Sequence, residues 1–439
     1  MNWNDEMRLS RRRVLSRAGA VVGTSVLAGC FSDGNGEGDP TPTPEPTDDE
    51  SDPFPPFLQV EDPPDAVYLP THREAMVMGE TVLAGEYAVS PMFSYPHPFW
   101  IVTGERVELV EPRAEDDLHL MVTVWDPETG HVLPIDTGLS ATVERDEQVV
   151  DQRAPWPMIS QGMGFHFGDN VALEGDGTYE MSVRVGPLEV RRTGAFVDRF
   201  SEPATATFEF EFDDEFRHEV VGRIEWLDEE EWGTPGAIPP MAHGHADDHS
   251  HDDGHDHSHG DDHSRDDEHD HSDDDHSHDD GHDHSDDGHG GQQELPAHPP
   301  YSAQPVPDAL PGTLLGTPES GDAVFATTLV KPGSRFAGED EHYLLVSPRT
   351  PYNASVLPAM HLTGTINRDE EPTFDGDLVP TINDEAGFHH GVPVDDVQAG
   401  DVLTIRVETP PQVARHQGYE TAFLSMSEIE LPIDEVDDT

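Results

Sequence analysis

Leu118-His119-Leu120-Met121-Val122-Thr123-Val124-Trp125 sets leucine and valine on one side of an extended chain and histidine, methionine and threonine on the other. A period of two residues over such a length is the signature of a β-strand with one face on an apolar core. The same alternation returns in Tyr179-Glu180-Met181-Ser182-Val183-Arg184-Val185, in Thr207-Phe208-Glu209-Phe210-Glu211-Phe212 and in Leu403-Thr404-Ile405-Arg406-Val407. Gly and Pro turn signals separate these runs, and long 3.6-residue periodicities are lacking. The expectation is an all-β protein built of immunoglobulin-like β-sandwiches.

Two globular stretches, 63–228 and 304–434, flank a segment of very different composition, 229–303. Between Met241 and Gly291 the chain is almost wholly His, Asp, Gly and Ser, and 15 of its 27 histidines lie between His243 and His289. That segment cannot bury a core and reads as a disordered linker rich in weak metal ligands. At the other end, Arg11-Arg12-Arg13 precedes a modestly apolar stretch ending in Leu27-Ala28-Gly29-Cys30. Residues 1–29 read as a twin-arginine lipoprotein signal, with Cys30 as the lipidated first residue of the mature chain. The apolar stretch is too short to span a bilayer comfortably, and Arg17 interrupts it. Residues 30–62, rich in Pro, Thr and Asp, read as a tether that holds the first domain off the membrane.

The chain carries 91 acidic against 23 basic residues, a formal charge of −68, and Lys331 is its sole lysine. Such self-repulsion suits concentrated salt, where the Debye length falls to roughly 3 Å. The composition is that of an extreme halophile. It argues against nucleic acid as a partner and makes cations the natural counterpart. Cys30, the lone cysteine, leaves no intramolecular disulfide and no cysteine-type zinc or blue-copper site.

The two globular stretches read as divergent copies of one domain. Leu118-His119-Leu120 pairs with Met360-His361-Leu362. Pro157-Met158-Ile159 through Gly164-Phe165-His166-Phe167-Gly168 pairs with Pro380-Thr381-Ile382 through Gly387-Phe388-His389-His390-Gly391, and Arg191-Arg192-Thr193-Gly194 pairs with Arg415-His416-Gln417-Gly418. His119, Met158 and His166 recur as polar landmarks of the first copy, and His361, His389 and His416 as those of the second. Each histidine alone is more often a surface or capping residue. As a repeated set they are better read as ligands for a transition metal ion: copper, iron or zinc.

Asp116-Asp117-Leu118-His119-Leu120, the run from Pro157-Met158 to His166-Phe167-Gly168-Asp169-Asn170-Val171 and the Tyr179 strand together resemble the bacterial periplasmic ferrous-iron transport proteins. That resemblance spans about Tyr68 to Asp213. It implies a sandwich, often a homodimer, with a Met/His site that takes copper, zinc or manganese and serves iron uptake, and it makes His119, Met158 and His166 ligands. The family's third histidine falls where this chain has Arg192, and Thr381 stands at the methionine position of the second copy. With three imidazoles, the second domain is expected to bind metal more readily than the first. The function expected is binding rather than catalysis: a surface lipoprotein, held to the membrane by its lipid, that captures metal ions for iron uptake. The alternative is a structural or adhesive lipoprotein in which the sandwiches only make contacts. No nucleophile triad, phosphate loop or acid/base carboxylate pair speaks for an enzyme.

Overall fold

The structure, a computed structural model, describes residues 57–241, 295–296 and 298–436. The expected lipoprotein signal, Cys30, most of the expected tether and the histidine-rich tract lie outside the described residues. What is described is nearly all β, with two sandwiches as the alternation predicts and one short α-helix, Asp214–Gly222, after the last strand of the first.

In the first sandwich one face contains β1 (Tyr87–Ser94), β2 (Phe99–Thr103), β3 (Asp116–Trp125), β6 (Trp156–Ser160) and β7 (Gly164–Ala172). The other face holds β4 (Ser140–Arg145), β5 (Gln148–Arg153), β8 (Gly177–Val185) and β10 (Ala204–Phe212). In the second sandwich β11 (Ala323–Val330), β12 (His342–Arg349) and β15 (Gly387–Val394) pair with the end of the long strand β14 (Glu371–Asn383). The first half of β14 crosses to the other face, where it joins β13 (His361–Arg368), β16 (Val402–Thr409) and β18 (Ile429–Pro432). Strand for strand β14 does the work of β5 and β6 together, and β12 stands where β3 does. The duplication read from the sequence is therefore visible in the pairing.

Along β3 the expected apolar face goes to the core, with Leu118, Leu120, Val122 and Val124 at most 2% exposed. Burying four such side chains contributes on the order of 6–12 kcal/mol before the entropy of ordering them is set against it. His119, Met121 and Thr123 are buried as well, because other segments cover the polar face. Phe57, at the end of the expected tether, stacks on His97 with ring centroids 5.8 Å apart. The ends of the expected linker are likewise held. Met241 N–H donates to Gly162 O at 2.9 Å, and Tyr301 Oη donates to Gln161 O at 3.2 Å. Met241 and Tyr301, at the two described ends of the expected linker, are thus tied to the first sandwich at Gly162 and Gln161.

The two halves also exchange an edge strand. β9 (Arg191–Thr193), from the first half, pairs in parallel with β14 of the second. β17 (Ala414–Arg415), from the second half, pairs in parallel with β6 and antiparallel with β2 of the first. Each copy therefore completes the other's sheet, and the residue after β17, His416, enters the first sandwich.

Candidate metal centre

Four histidines of distant origin meet over the outer face of the sheet that carries β3 and β7, the face turned away from the sandwich core and covered by other segments. His119 stands on β3, His166 on β7, His97 in the Tyr95-Pro96-His97-Pro98 link between β1 and β2, and His416 beyond β17. Ring centroids of His97 and His119 are 4.0 Å apart, those of His97 and His416 5.0 Å, and those of His166 and His416 5.1 Å. His97, His119 and His166 are fully buried and His416 nearly so.

The side chains around them fix which ring nitrogen is free. Asn170 Nδ2 donates to His97 O at 3.0 Å, which orients its amide so that Oδ1 accepts from His119 Nδ1 at 2.9 Å. His166 Nδ1 donates to Gly164 O, and His97 Nδ1 to Pro98 O, each at 3.1 Å. His416 Nδ1 donates to Glu74 Oε1 at 3.1 Å. With every Nδ1 committed as a donor, each ring when neutral carries its lone pair on Nε2. His166 Nε2 lies 3.3 Å from His416 Nε2, and Met158 Sδ lies 3.2 Å from His416 Nε2. His119 Nε2 is buried with no hydrogen-bond partner, and His97 Nε2, 3.3 Å from Glu74 Oε2, lacks hydrogen-bond geometry.

Bare lone pairs at such distances repel. Two imidazole nitrogens bound to one tetrahedral ion at about 2.05 Å sit roughly 3.3 Å apart, so the spacing is that of ligands sharing a cation. Gly168 makes the room: a Cβ there would sit 2.7 Å from Met158 Sδ and 3.1 Å from His119 Nε2. The donor set therefore fits a borderline or soft transition metal, with a carboxylate holding one imidazole from behind.

Electrostatics agree with that fit. Burial, then the neighbouring His97 and His416, hold His119 well below the ordinary imidazole value, and burial takes His166 down to about 3. Both stay neutral and ligand-competent in mild acid. Burial opposes ionisation of Glu74, but His97 and His416 beside it outweigh burial and keep its carboxyl well below the usual range.

Arg415 positions His416. Its buried guanidinium donates to Tyr419 O at 3.1 Å and Pro411 O at 3.3 Å and also to Ala422 O, tying the loop's carbonyls into one knot. His416 N–H in turn donates to Ile159 O at 3.2 Å, beside Met158.

The expected second site does not assemble. His416 sits with His166 and Met158, away from its own sandwich. His361 is on β13, a strand of the opposite face equivalent to β4, where it is half-exposed and pairs with Asp377 Oδ1 at 3.0 Å. The alternation of Met360-His361-Leu362 marks a strand but does not say which sheet it joins. His389 repeats His166 closely, with Nδ1 donating to Gly387 O at 3.1 Å. Its Nε2, however, accepts from Tyr343 Oη at 3.1 Å. By strand register Tyr343 takes the place of His119, Thr381 that of Met158, and Thr193 that of His416. Gly391, the counterpart of Gly168, leaves its space to the Tyr343 hydroxyl. The second copy has kept the frame and filled the pocket.

Glu74 and His97 are the residues that sequence reasoning missed. The two prolines flanking His97 were the available signal of a fixed histidine. Glu74, one of 91 acidic residues, carried none.

Residues 130–216 match the protein family described as Fe2+ transport protein, so the resemblance to ferrous-iron transport proteins holds over that stretch. It contains Met158 and His166 but not Glu74, His97, His119 or His416. Residues 308–432 match a domain of unknown function (DUF7350), which contains His416. No curated protein matches the chain. Among solved structures, a copper-bound variant of FetP from uropathogenic Escherichia coli strain F11 is 18% identical, with a TM-score of 0.23, over 31% of this chain and 97% of that one. The as-isolated FetP of that strain, recombinantly expressed in the E. coli periplasm, is 19% identical, with a TM-score of 0.22, over 32% and 95%.

Proposed function

We propose that the protein is an extracytoplasmic, lipid-anchored metal-binding protein that serves Fe2+ uptake, binding its ion rather than catalysing a reaction. The ion is held by His119, Met158, His166 and His416, with His97 and Glu74 completing the surroundings. The observation that carries this reading is the convergence of four buried imidazoles whose Nδ1 atoms are all committed: Nε2 of His166 and Nε2 of His416 lie 3.3 Å apart beside the Met158 thioether, and Glu74, His97 and His416 offer ligand atoms within 4.8 Å of one another. The match of residues 130–216 to the Fe2+ transport protein family supports the link to iron, and an iron permease in the same membrane is the natural recipient.

A thioether among imidazoles tilts the centre towards copper over zinc. Because the fourth imidazole comes from the second half of the same chain, metal binding does not require a homodimer. The histidine-rich tract adds weak, exchangeable ligands that raise the local ion concentration.

Electron paramagnetic resonance during Cu2+ titration in molar salt tests the reading, since a fixed Met/His centre gives a spectrum distinct from that of loosely held histidines. Replacing His166 or His416 by alanine is expected to remove that signal, while His361→Ala and His389→Ala leave it intact. A signal that survives loss of both His166 and His416 would refute the folded site.

A further inference from the structure

Half of the chain's 12 methionines, Met76, Met78, Met92, Met121, Met163 and Met241, pack on one another, and no other residue type joins this apolar cluster among the described residues. A cluster built only for packing would draw on Leu, Ile, Val and Phe, as the main core of the sandwiches does, with Met181 and Met360 as its buried methionines. The thioethers are also laid out in a row. Met78 faces Met92 across neighbouring strands, Met92 faces Met121, and Met121 lies opposite Gly168, over which Met158 Sδ and His119 Nε2 come together. Met121 projects from the same side of β3 as His119. On the outer flank Met76, Met163 and Met241 line a cavity of about 40 Å³ together with His72, Glu74 and His416, enough for one small ion or a water. Met92 and Met121 are fully buried, while Met76, Met78 and Met241 are partly exposed, so the row runs from the surface to the histidine centre.

We propose that this cluster is a second metal site, an all-thioether site for a soft monovalent cation, copper(I) by its chemistry. Thioethers are neutral, polarisable donors that favour Cu+ over Fe2+ or Zn2+. Thioethers carry no charge of their own, which suits a single positive charge, and the one carboxylate lining the cavity, Glu74, is already partnered by His416 and His97. The histidine centre, with the Glu74 carboxylate at its back, is the complementary site. The proposal takes the histidine centre from the reading above, but the thioether site stands or falls by its own ligands.

The full chain labelled with ¹³C at the methionine methyl groups, titrated with Ag⁺ as a redox-inert stand-in for Cu⁺ in molar potassium nitrate, tests it residue by residue. The methyl signals of the six cluster methionines are expected to move saturably, in the native chain and in His416→Ala alike, while those of Met181 and Met360 stay in place. In a Met76→Leu, Met78→Leu, Met241→Leu variant, which nearly conserves volume, the signals of Met92, Met121 and Met163 are expected to stop responding. The Cu²⁺ resonance spectrum of that variant should be unchanged, which separates failure of this site from failure of the histidine centre. Should Met158 alone respond to Ag⁺, or should His416→Ala silence the six, the cluster is packing and the proposal is overturned.

Discussion

At the scale of the residue, the proposed centre depends on the groups that hold its imidazoles from behind. Asn170 holds both the tautomer of His119 and the backbone of His97, and Glu74 holds the Nδ1 of His416. Such backing groups typically account for a 10–100-fold factor in metal affinity. Asn170→Ala and Glu74→Gln are each expected to weaken Cu2+ binding by about that factor in competition against a chelator, and an affinity unchanged within about twofold would contradict the role given to them here. Gly168→Ala should be more severe, because its methyl group meets Met158 Sδ and His119 Nε2 at once. His119, Met158 and His166 were legible as candidates because each sits in a patterned stretch where a polar residue interrupts alternation or lies between glycines. Glu74 and His97 were not, since neither belongs to a repeated motif and a single useful carboxylate cannot be told from ninety solvating ones.

At the scale of the element, the two Gly-Phe-His hairpins show how one local design serves two ends. In both, a glycine with positive φ, Gly164 at 71° and Gly387 at 64°, makes the turn, and the histidine two residues on folds its Nδ1 back to that glycine's carbonyl. β7 then offers its imidazole to a pocket, whereas β15 buries its own under Tyr343. The neighbouring His389 and His390 have a price in acid. Burial takes their pKa values down to about 3 and about 4, whereas in the unfolded chain both titrate near 6.5. Below pH 6.5 the unfolded chain therefore takes up protons that the fold refuses, and stability is lost as pH falls towards 4, by up to about 1.4 kcal/mol per pH unit for each group. Urea midpoints at pH 7 and pH 5 should show a smaller acid loss in His390→Gln than in the native chain; an equal loss would mean that His390 does not contribute. Strand alternation made the elements themselves legible. It could not say that β13 lies in the opposite sheet from β3, nor that β17 leaves its own sandwich, because both are decided by long-range pairing and not by local pattern.

At the scale of the whole molecule, the exchange of β9 and β17 makes two divergent copies into one functional unit. The first copy forms the pocket and the second places His416 in it, so the histidines group across the two copies and not, as the sequence pairing implied, within each. The formal charge of −68 places this unit under self-repulsion that salt relieves. The urea midpoint of the native chain is expected to rise steadily between about 0.5 M and 3 M potassium chloride, where the Debye length has already fallen below roughly 5 Å; a midpoint insensitive to salt would separate the acidic composition from stability. His416 crosses between the halves to meet His119, Met158 and His166, and the proposed metal centre depends on that crossing. An anomalous difference map at the copper edge, from a crystal of the full chain soaked in Cu2+, addresses that directly. The predicted result is a peak bounded by Nε2 of His119, His166 and His416 and by Sδ of Met158. A peak beside His361 and Asp377, or beside His389, with none among those four residues, would contradict it.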